Sequence, residues 1–317
     1  MPRESSNALR VACIGECMIE LSLRADGSLH QGFAGDTANL AVYLARLLPA
    51  AQIAYVTALG KDPFSDRMLA GWQDDHIDTR LVRRLADRLP GLYWIDTDAS
   101  GERSFYYWRE QSAARAMFSD AYLSDVQASL AGFDLVCLSG ITLAILPADD
   151  RAELLATLGS LRRAGSRIVF DSNYRPRLWP VVRDAQACHR DAMAVADIVI
   201  ASFDDERALF GDESAAATRA RISAAGLAEV VVRQGHGDSL LLADGQSESV
   251  PPAVAGQVVD TTGAGDAFDA AYLAARLSGQ PGAAAARAGH RLAAQVVAVP
   301  GAILLRATTP ALEALLA

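Results

Sequence analysis

The stretch of sequence that decides the fold is Val-Val-Asp-Thr-Thr-Gly-Ala-Gly-Asp-Ala-Phe, at residues 258–268. An apolar pair leads into two threonines and a Gly-Ala-Gly turn, and a segment of helical period then continues to Ser278-Gly279. Two glycines at a helix N-terminus let an anion approach the backbone, where free N–H groups and the helix dipole attract it. We therefore predict that Gly263, Ala264 and Gly265 form a phosphate-binding turn.

The carboxylate that follows this turn has its own predicted role. Asp266 falls in the first turn of the helix, where the dipole favours its ionised form. Beside a bound phosphoryl group it would accept the proton of an attacking hydroxyl. The alternative is a glycine-rich turn whose aspartate only caps its own helix. The length of the string favours the catalytic interpretation.

Apolar runs elsewhere in the chain alternate with segments of helical period. The predicted strands cover residues 11–15, 54–60, 134–140, 167–173, 197–202, 229–235 and 239–244. The predicted helices cover residues 37–48, 65–75 and 151–163, together with the segment after residue 266. Strands that are apolar on both faces and alternate with helices indicate a parallel sheet covered on both sides. The predicted fold is α/β, with a doubly wound, mostly parallel sheet flanked by helices.

One part of the chain breaks this alternation. Residues 91–97 and 103–109 are strand-like runs separated by Asp98-Ala99-Ser100-Gly101, which suits a type I turn and hence a hairpin. With residues 16–33 this hairpin is predicted to form a small antiparallel sheet that acts as a lid, because its aromatic side chains are costly to leave uncovered. The alternative is an extension of the main sheet at its edge. We expect one domain over residues 1–317, with lid segments at 16–33 and 91–109.

Composition argues against several classes of protein. The 317 residues carry 29 Lys+Arg against 38 Asp+Glu, and the net charge of -9 disfavours nucleic acid and anionic membranes as partners. Residues 1–10 lack the pattern of a signal peptide and no apolar stretch is long enough to span a bilayer, so a cytoplasmic protein is expected. The cysteines and histidines lack metal-site spacing, and the cysteines are expected to be buried thiols. Lys61 is the only lysine, so the functional cations must be arginines.

The string at 260–268 resembles the C-terminal signature of the PfkB, or ribokinase-like, carbohydrate kinases. Residues 33–41, Phe-Ala-Gly-Asp-Thr-Ala-Asn-Leu-Ala, are similar to the family's N-terminal glycine-rich segment, with Asn39 at the family's asparagine. Asp36 stands where a second glycine is more usual, and without the family it would be an ordinary N-cap. Further strings, among them 15–21, 55–60, 101–109 and 171–179, extend the resemblance over most of the chain.

The resemblance implies a ribokinase-like fold and transfer of a phosphoryl group from ATP, with Mg²⁺, to a sugar hydroxyl. Gly-Asp-Thr at 35–37 followed by residues 42–46 is similar to bacterial family members that act on 2-keto-3-deoxygluconate, which implies a 6-phosphate and ADP as products. The implied substrate-binding residues are Gly35, Asp36, Asn39, Tyr93, Tyr107, Arg109, Arg175 and Asp266. A family kinase for a neutral sugar, of the fructokinase or ribokinase type, is the nearest alternative. A non-catalytic sensor of a sugar acid or a nucleotide is another.

Two arginines agree with a substrate that carries a carboxylate. Arginine suits planar, bidentate contact with a carboxylate, and Arg109 and Arg175 follow predicted strands, at whose ends α/β sheets bind ligands. Tyr93 and Tyr107 offer apolar faces with a hydroxyl at the tip. The alternative for the tyrosines is packing between lid and core, and for each arginine it is a surface ion pair.

The nucleotide side matches the family less closely. Residues 229–237 form a predicted strand and glycine-bearing turn like the family's nucleotide-lining segment, which implies Arg233, Gly235 and Gly237 near the nucleotide. Relatives often have Lys at the position of Arg233. The family's Asn-x-x-Glu is represented by residues 202–205, Ser-Phe-Asp-Asp, so Ser202 is assigned to the nucleotide.

The remaining expectations concern ions and assembly. Asp205 is assigned to Mg²⁺, directly or through water, and a solvated acidic helix start is the alternative. Whether a monovalent cation binds near the Asp260 loop is left open. A lid-to-lid homodimer is expected from the lid aromatics. A nicotinamide dehydrogenase is disfavoured, because the first strand ends Gly15-Glu16-Cys17 without a G-x-G-x-x-G turn.

Overall fold

The strands of the protein form two separate sheets. The computed structural model describes residues 8–23, 26–97, 103–120 and 122–317. The strands are β1 (Arg10–Ile14), β2 (Met18–Leu23), β3 (Leu29–Ala34), β4 (Gln52–Leu59), β5 (Val82–Arg84), β6 (Leu92–Thr97), β7 (Arg103–Trp108), β8 (Leu135–Ser139), β9 (Arg167–Asp171), β10 (Ile198–Ser202), β11 (Glu229–Arg233), β12 (Ser239–Ala243) and β13 (Gln246–Val250).

The large sheet is mostly parallel. Its described strands lie in the order β13-β12-β11-β10-β9-β8-β1-β4-β5, and β12 and β13 form an antiparallel hairpin at one edge. The carboxyl ends of the parallel strands therefore lie together along the edge of the sheet that runs across the strand ends. In an open α/β sheet this is the edge at which ligands bind.

Helices cover both faces of this sheet. The helices are α1 (Asp36–Leu47), α2 (Pro63–Asp74), α3 (Tyr122–Leu130), α4 (Gly140–Ile145), α5 (Ala148–Arg163), α6 (Val182–Val195), α7 (Phe203–Phe210), α8 (Ala215–Ser223), α9 (Ala264–Leu277), α10 (Gly282–Val296) and α11 (Leu312–Leu316). Along β1, Val11 and Cys13 pack into one apolar core with α1, α9 and α10, while Ala12 and Ile14 pack into another with α5 and α6. Alternate strand residues thus feed opposite cores, as a doubly wound sheet requires.

The second sheet has four strands in the order β3-β2-β6-β7. β2 pairs antiparallel with β3 and parallel with β6, and β6 pairs antiparallel with β7. The register places Glu20, Tyr93 and Tyr107 side by side on one face, which we call the inner face. Leu21, Trp94 and Tyr106 lie side by side on the other, outer face.

The predicted α/β architecture is confirmed, and so is the small separate sheet; its alternative, an edge extension of the main sheet, is wrong. The expectation that the small sheet is antiparallel is wrong for one pair, because β2 and β6 come from distant parts of the chain and pair in parallel. All seven predicted main-sheet strands and all four predicted helices form, with ends within three residues of those expected. The predicted turn Asp98-Ala99-Ser100-Gly101 lies outside the described residues. The edge strands β5 and β13 were not predicted, because neither shows an apolar run.

Two further expectations can be compared with the structure. All four cysteines are free and buried, as predicted. No helix within the described ranges is long and apolar enough to cross a membrane.

Candidate active site

The glycine turn before α9 has the conformation that its residues predict. Gly263 is the N-cap of α9 and has φ +74°, in the left-handed region that glycine adopts without strain. A side chain is also excluded sterically, because a Cβ there would lie 2.6 Å from the Cβ of Ala302. The carboxylate of Asp260 accepts hydrogen bonds from the backbone N–H groups of Thr262 and Gly301, both at 2.8 Å. These two hydrogen bonds hold the start of α9 in place. The first N–H groups of a helix have no partner within the helix, so they are free to bind an anion at this end.

Asp266 and Asn39 meet across the site. The side-chain amide of Asn39, on α1, donates a hydrogen bond of 2.7 Å to Asp266 Oδ2, on α9. Beside them, Asp36 Oδ2 accepts a hydrogen bond of 2.9 Å from the amide of Asn173, which follows β9. Three residues that the sequence assigns to the substrate, Asp36, Asn39 and Asp266, are therefore brought together.

The ionisation of Asp266 is controlled by its surroundings. Burial raises its pKa to about 7, and the neighbouring carboxyl groups of Asp36 and Asp171 act in the same direction. The hydrogen bond from Asn39 opposes this rise, and so does the charge of Arg233. A carboxyl group with a pKa near neutrality is suited to accepting a proton at physiological pH.

A small cavity adjoins Asp266. Its volume is about 20 Å³, and its lining includes the carboxyl residues Asp36, Asp171, Asp266 and Asp269; we call it the carboxylate cavity. Its described lining contains no lysine or arginine. Burial raises the pKa of Asp171 to about 6 and the pKa of Asp269 well above its usual value. The cavity thus concentrates acidic groups next to the proposed base.

Arg233, at the end of β11, lies against this acidic group. Its Nη2 is 3.2 Å from Asp171 Oδ1 and its Nη1 is 3.1 Å from Asp269 Oδ1. Only 16% of the side chain is exposed. A Cβ on Gly265 would lie 2.5 Å from Arg233 Nη1, so the guanidinium packs directly against the first turn of α9.

On the side of the small sheet, Arg109 forms a buried ion pair with Glu16. The two side chains are 8% and 1% exposed, and Arg109 Nε has no hydrogen-bond partner within the described part of the chain. Glycines make room for Glu16: a Cβ on Gly91 would lie 2.9 Å from Glu16 Oε1, and one on Gly35 would lie 2.0 Å from its backbone oxygen. Gly35 is thus required by packing rather than by backbone conformation.

The two predicted tyrosines lie together on the inner face of the small sheet. The hydroxyl of Tyr93 donates to Glu20, and burial raises the Tyr93 pKa above its usual value. The rings of Tyr93 and Tyr107 are 5.9 Å apart, but Tyr107 is 41% exposed and Tyr93 is buried. Tyr93 also packs with Ala302, the residue that touches the turn before α9. The inner face therefore lies beside the glycine turn.

Arg175 and Asp205 contact each other. Arg175 Nη1 lies 3.4 and 3.5 Å from the Asp205 carboxylate oxygens and donates to the carbonyl of Tyr174 at 2.9 Å. About half of the Arg175 side chain is exposed. Burial raises the pKa of Asp205, and Arg175 opposes the rise. An ion pair, the alternative for each arginine, is thus the contact observed for Arg175 at the surface and for Arg109 in the interior.

The predicted nucleotide residues lie at the same edge of the sheet. Ser202 ends β10 and is the N-cap of α7, directly beside Arg233 in the strand register. Gly235, with φ +59°, and Gly237 belong to the turn from β11 to β12. Within the described ranges, no group of three or more His, Cys, Asp or Glu side chains could hold a metal ion.

Five residues at the site were not assigned from the sequence: Glu16, Glu20, Asp171, Asn173 and Asp269. Four of them fall inside the strings 15–21 and 171–179 that resemble the family, so a signal was present. Asp269 follows Asp266 by three residues, a spacing that puts both on one face of a helix.

Comparison with known proteins shows the family of the chain. The family model described as pfkB family carbohydrate kinase matches residues 8–309. A protein of Escherichia coli K12 named 2-dehydro-3-deoxygluconokinase is 44% identical over 307 residues, which cover 95% of this chain and 99% of that protein. A fructokinase of Klebsiella pneumoniae is 31% identical and covers 84% of this chain and 83% of its own length.

A solved structure shows the same fold. The crystal structure of the 2-dehydro-3-deoxygluconokinase of Thermotoga maritima superimposes with a TM-score of 0.84, covering 98% of this chain and 97% of that one. Its sequence is 22% identical, so this likeness concerns the fold alone.

Proposed function

Because the chain belongs to the pfkB family of carbohydrate kinases, we propose that it phosphorylates the terminal hydroxyl of 2-dehydro-3-deoxy-D-gluconate with ATP, giving the 6-phosphate and ADP. The observation that carries the chemistry is the hydrogen bond between Asn39 and Asp266 beside a glycine turn at a helix start. The choice of substrate rests on the relatives of that name, which are more similar to this chain than the fructokinase is.

The proposed reaction assigns the proton to Asp266. The substrate oxygen attacks the γ-phosphorus while Asp266 takes its proton, and the bond from that phosphorus to the bridging oxygen of ADP breaks. The turn at Gly263, Ala264 and Gly265 stabilises negative charge on the transferred group through backbone N–H groups. Asn39 orients the carboxylate toward the hydroxyl, since it holds Oδ2 and leaves Oδ1 for the proton.

Mg²⁺ is proposed to enter with the nucleotide. It usually takes one or two protein carboxylates and otherwise phosphate and water oxygens. Asp205 fits this role, because its carboxylate is at the ligand-binding edge of the sheet and its described contact, with Arg175, is long. When bound, Mg²⁺ neutralises charge on the phosphates. Ser202, Gly235 and Gly237 are proposed to line the nucleotide.

The carboxylate of the substrate is proposed to bind Arg109 and Arg175. Glu16 holds the guanidinium of Arg109 through Nη2. Its buried Nε has no hydrogen-bond partner within the described residues, so it could donate to the carboxylate of the substrate. Arg175 could exchange Asp205 for the substrate, since its side chain is half exposed and its ion pair is long. The hydroxyl of Tyr93 donates its hydrogen bond to Glu20, so its oxygen is left to accept a hydrogen bond from a substrate hydroxyl.

The small sheet is proposed to act as the lid, within one kinase domain. Its inner face lies beside the glycine turn through Ala302, so closure there would exclude water from the phosphoryl group. Its outer face exposes Leu23, Leu29, Tyr106 and Trp108, each by more than half. An apolar face of this kind supports a homodimer through the lid.

The remaining parts of the proposal are the location and a second cation. A cytoplasmic location follows from the use of ATP. A monovalent cation near the Asp260 loop would act on the glycine turn, which Asp260 ties to Gly301. Replacing K⁺ by tetramethylammonium in the assay should lower kcat if that cation binds, and equal rates would remove it from the proposal.

The test of the function is ADP release with a panel of acceptors. The sugar acid should give a kcat/KM at least about tenfold above fructose and ribose, as expected when a buried polar partner is left unmatched. Transfer to fructose with none to the sugar acid would assign the chain to the neutral-sugar kinases. Binding of the sugar acid without ADP release would indicate a sensor.

The carboxylate contacts are tested by substitution. Arg109→Ala should raise KM for the sugar acid by about tenfold or more, because a charged hydrogen bond contributes about 1.5–3 kcal/mol. Arg175→Ala should raise it less, since the side chain is half exposed. Arg177→Ala is the matched control: this exposed arginine lies two residues further on and has no assigned role. If all three variants keep the same KM, the carboxylate assignment is wrong.

A further inference from the structure

The family resemblance implies a nucleotide contact for Arg233, but the structure places its guanidinium between two acidic side chains. We propose that Arg233, held between Asp171 and Asp269, is a positioning residue that places a fixed positive charge beneath the glycine turn and keeps Asp266 available as a base. The inference rests on the proposed function, because it concerns how that base is maintained.

The first argument is the contacts of the guanidinium. Nη1 and Nη2 each face one carboxylate, at 3.1 and 3.2 Å, and these acids come from two different elements, α9 and β9. The side chain is 16% exposed, so little of it is accessible to a nucleotide. Nη1 and Nη2 therefore each have an acidic neighbour in the protein, while Nε is buried and has no hydrogen-bond partner among the described residues.

The second argument is its position against α9. A Cβ on Gly265 would lie 2.5 Å from Nη1, so the second glycine of the turn is what lets the cation reach this depth. The ring of Phe268, in the same turn of α9, lies 6.0 Å from the guanidinium carbon. The charge is thus packed against the first turn of α9.

The third argument is charge balance. The carboxylate cavity brings Asp36, Asp171, Asp266 and Asp269 together, and its described lining has no basic side chain. Carboxylates crowded in this way take up protons unless a cation is close. Arg233 is the cation that contacts two of the four. Without it Asp266 would hold its proton to higher pH, and a smaller fraction would be ionised at neutral pH.

The groups that face Asp266 are known from each neighbouring element. Asp36 and the neutral Asn39 and Tyr43 come from α1, Asp171 from β9, Arg233 from β11, and Asp269 from α9 itself. Asp36 and Asp171 favour the protonated form of Asp266, whereas Arg233 and Asn39 favour the ionised form. Removing the charge of Asp171 should therefore lower the pKa of Asp266, whereas removing the charge of Arg233 should raise it.

The experiment measures the acid limb of kcat/KM for the sugar acid in three variants. Arg233→Gln should move the limb to higher pH by about one unit, and Asp171→Asn should move it to lower pH by a similar amount. Arg233→Lys should keep it near the wild-type position, because it preserves the charge. A purely structural role would lower activity in the first two variants without shifts of opposite sign.

A second measurement separates the positioning role from nucleotide contact. Calorimetric titration with ADP should give a Kd for Arg233→Lys within about threefold of wild type, whereas a direct bidentate contact would lose about tenfold. If Arg233→Lys loses ADP affinity while the acid limb of kcat/KM in Arg233→Gln stays at the wild-type pH, the inference is overturned. If Arg233→Gln fails to fold, Arg233→Lys and Asp171→Asn still decide.

The proposed function and this inference fail in different ways. Wild-type protein that releases no ADP with any sugar acid would refute the function. In that case, NMR titration of ¹³C-labelled aspartate carboxyl groups in wild type and Arg233→Gln still reports the ionisation of Asp266. A titration midpoint of Asp266 that does not move to higher pH in Arg233→Gln would refute the inference.

Discussion

Replacing Asn39 by alanine gives a direct test of how the proposed base is kept ionised. The Asn39 amide donates a 2.7 Å hydrogen bond to Asp266, whose pKa burial raises to about 7. Because the bond stabilises the charged form, its loss should raise the pKa further. Activity requires the ionised form, so kcat/KM falls as pH drops through this pKa. The acid limb of Asn39→Ala should therefore lie at higher pH than that of wild type.

The size of the shift follows from the bond. A hydrogen bond to a charged group contributes about 1.5–3 kcal/mol, and one pKa unit corresponds to 1.36 kcal/mol, which gives about one to two units. Water can replace part of the bond at this half-buried carboxylate, so we expect about one unit. At pH 7 the ionised fraction would fall from about one half to about one tenth, and kcat/KM with it by about fivefold.

The assay is ADP release at low sugar-acid concentration from pH 5.5 to 9, where kcat/KM reports the free enzyme. The position of the limb is the readout, because the plateau also reflects any substrate contact of Asn39. Asn173→Ala is the matched control: it removes an amide that is bonded to Asp36 instead. A limb for Asn39→Ala at or below the wild-type position would refute the assignment of Asp266 as the titrating base.

Three other predictions concern the proposed base, the glycine turn and the outer face of the small sheet. Asp266→Asn should lower kcat by about 10²–10⁴-fold while the Kd for ADP, measured by calorimetry, stays within about twofold; near wild-type turnover would contradict the base assignment. Gly263→Ala should lower the free energy of unfolding by more than Gly279→Ala, since both residues have positive φ but only Gly263 is in contact with Ala302. We expect losses of about 2–4 and about 1 kcal/mol in urea denaturation, and equal losses would show that the contact relaxes freely. Trp108→Asp should shift the mass in light scattering from dimer to monomer, and a wild-type monomer would remove the lid-to-lid dimer.

The large sheet and the glycine turn could be predicted because local sequence determines them. The inner strands are apolar on both faces, which gives an unambiguous signal, and Gly263 needs a left-handed backbone that its own residue type supplies. β13 reads Gln-Ser-Glu-Ser-Val and is paired on one side only, to β12. An edge strand of this polarity carries no pattern that distinguishes it from a loop.

The ion pairs at the site could not be predicted, because they depend on tertiary packing. Glu16 and Arg109 are 93 residues apart in the chain, and Arg233 and Asp171 are 62 apart. The sequence identifies such residues as charged, but only the register of the strands shows which charges meet. This is why arginines that suit a carboxylate substrate proved to be bound by acids of the protein itself.

Ala302 joins two parts of the site, and its size has a consequence for the acceptor. Its methyl group touches Gly263 on one side and packs with Met18 and Tyr93 of the small sheet on the other. In the proposed reaction, this one small side chain would therefore set the distance between the inner face of the small sheet and the transferred phosphoryl group. An acceptor too short for that distance would not reach Asp266 with its last hydroxyl while its other end stays bound to the small sheet. We therefore expect a larger side chain at position 302 to change the chain length of the acceptor that is phosphorylated.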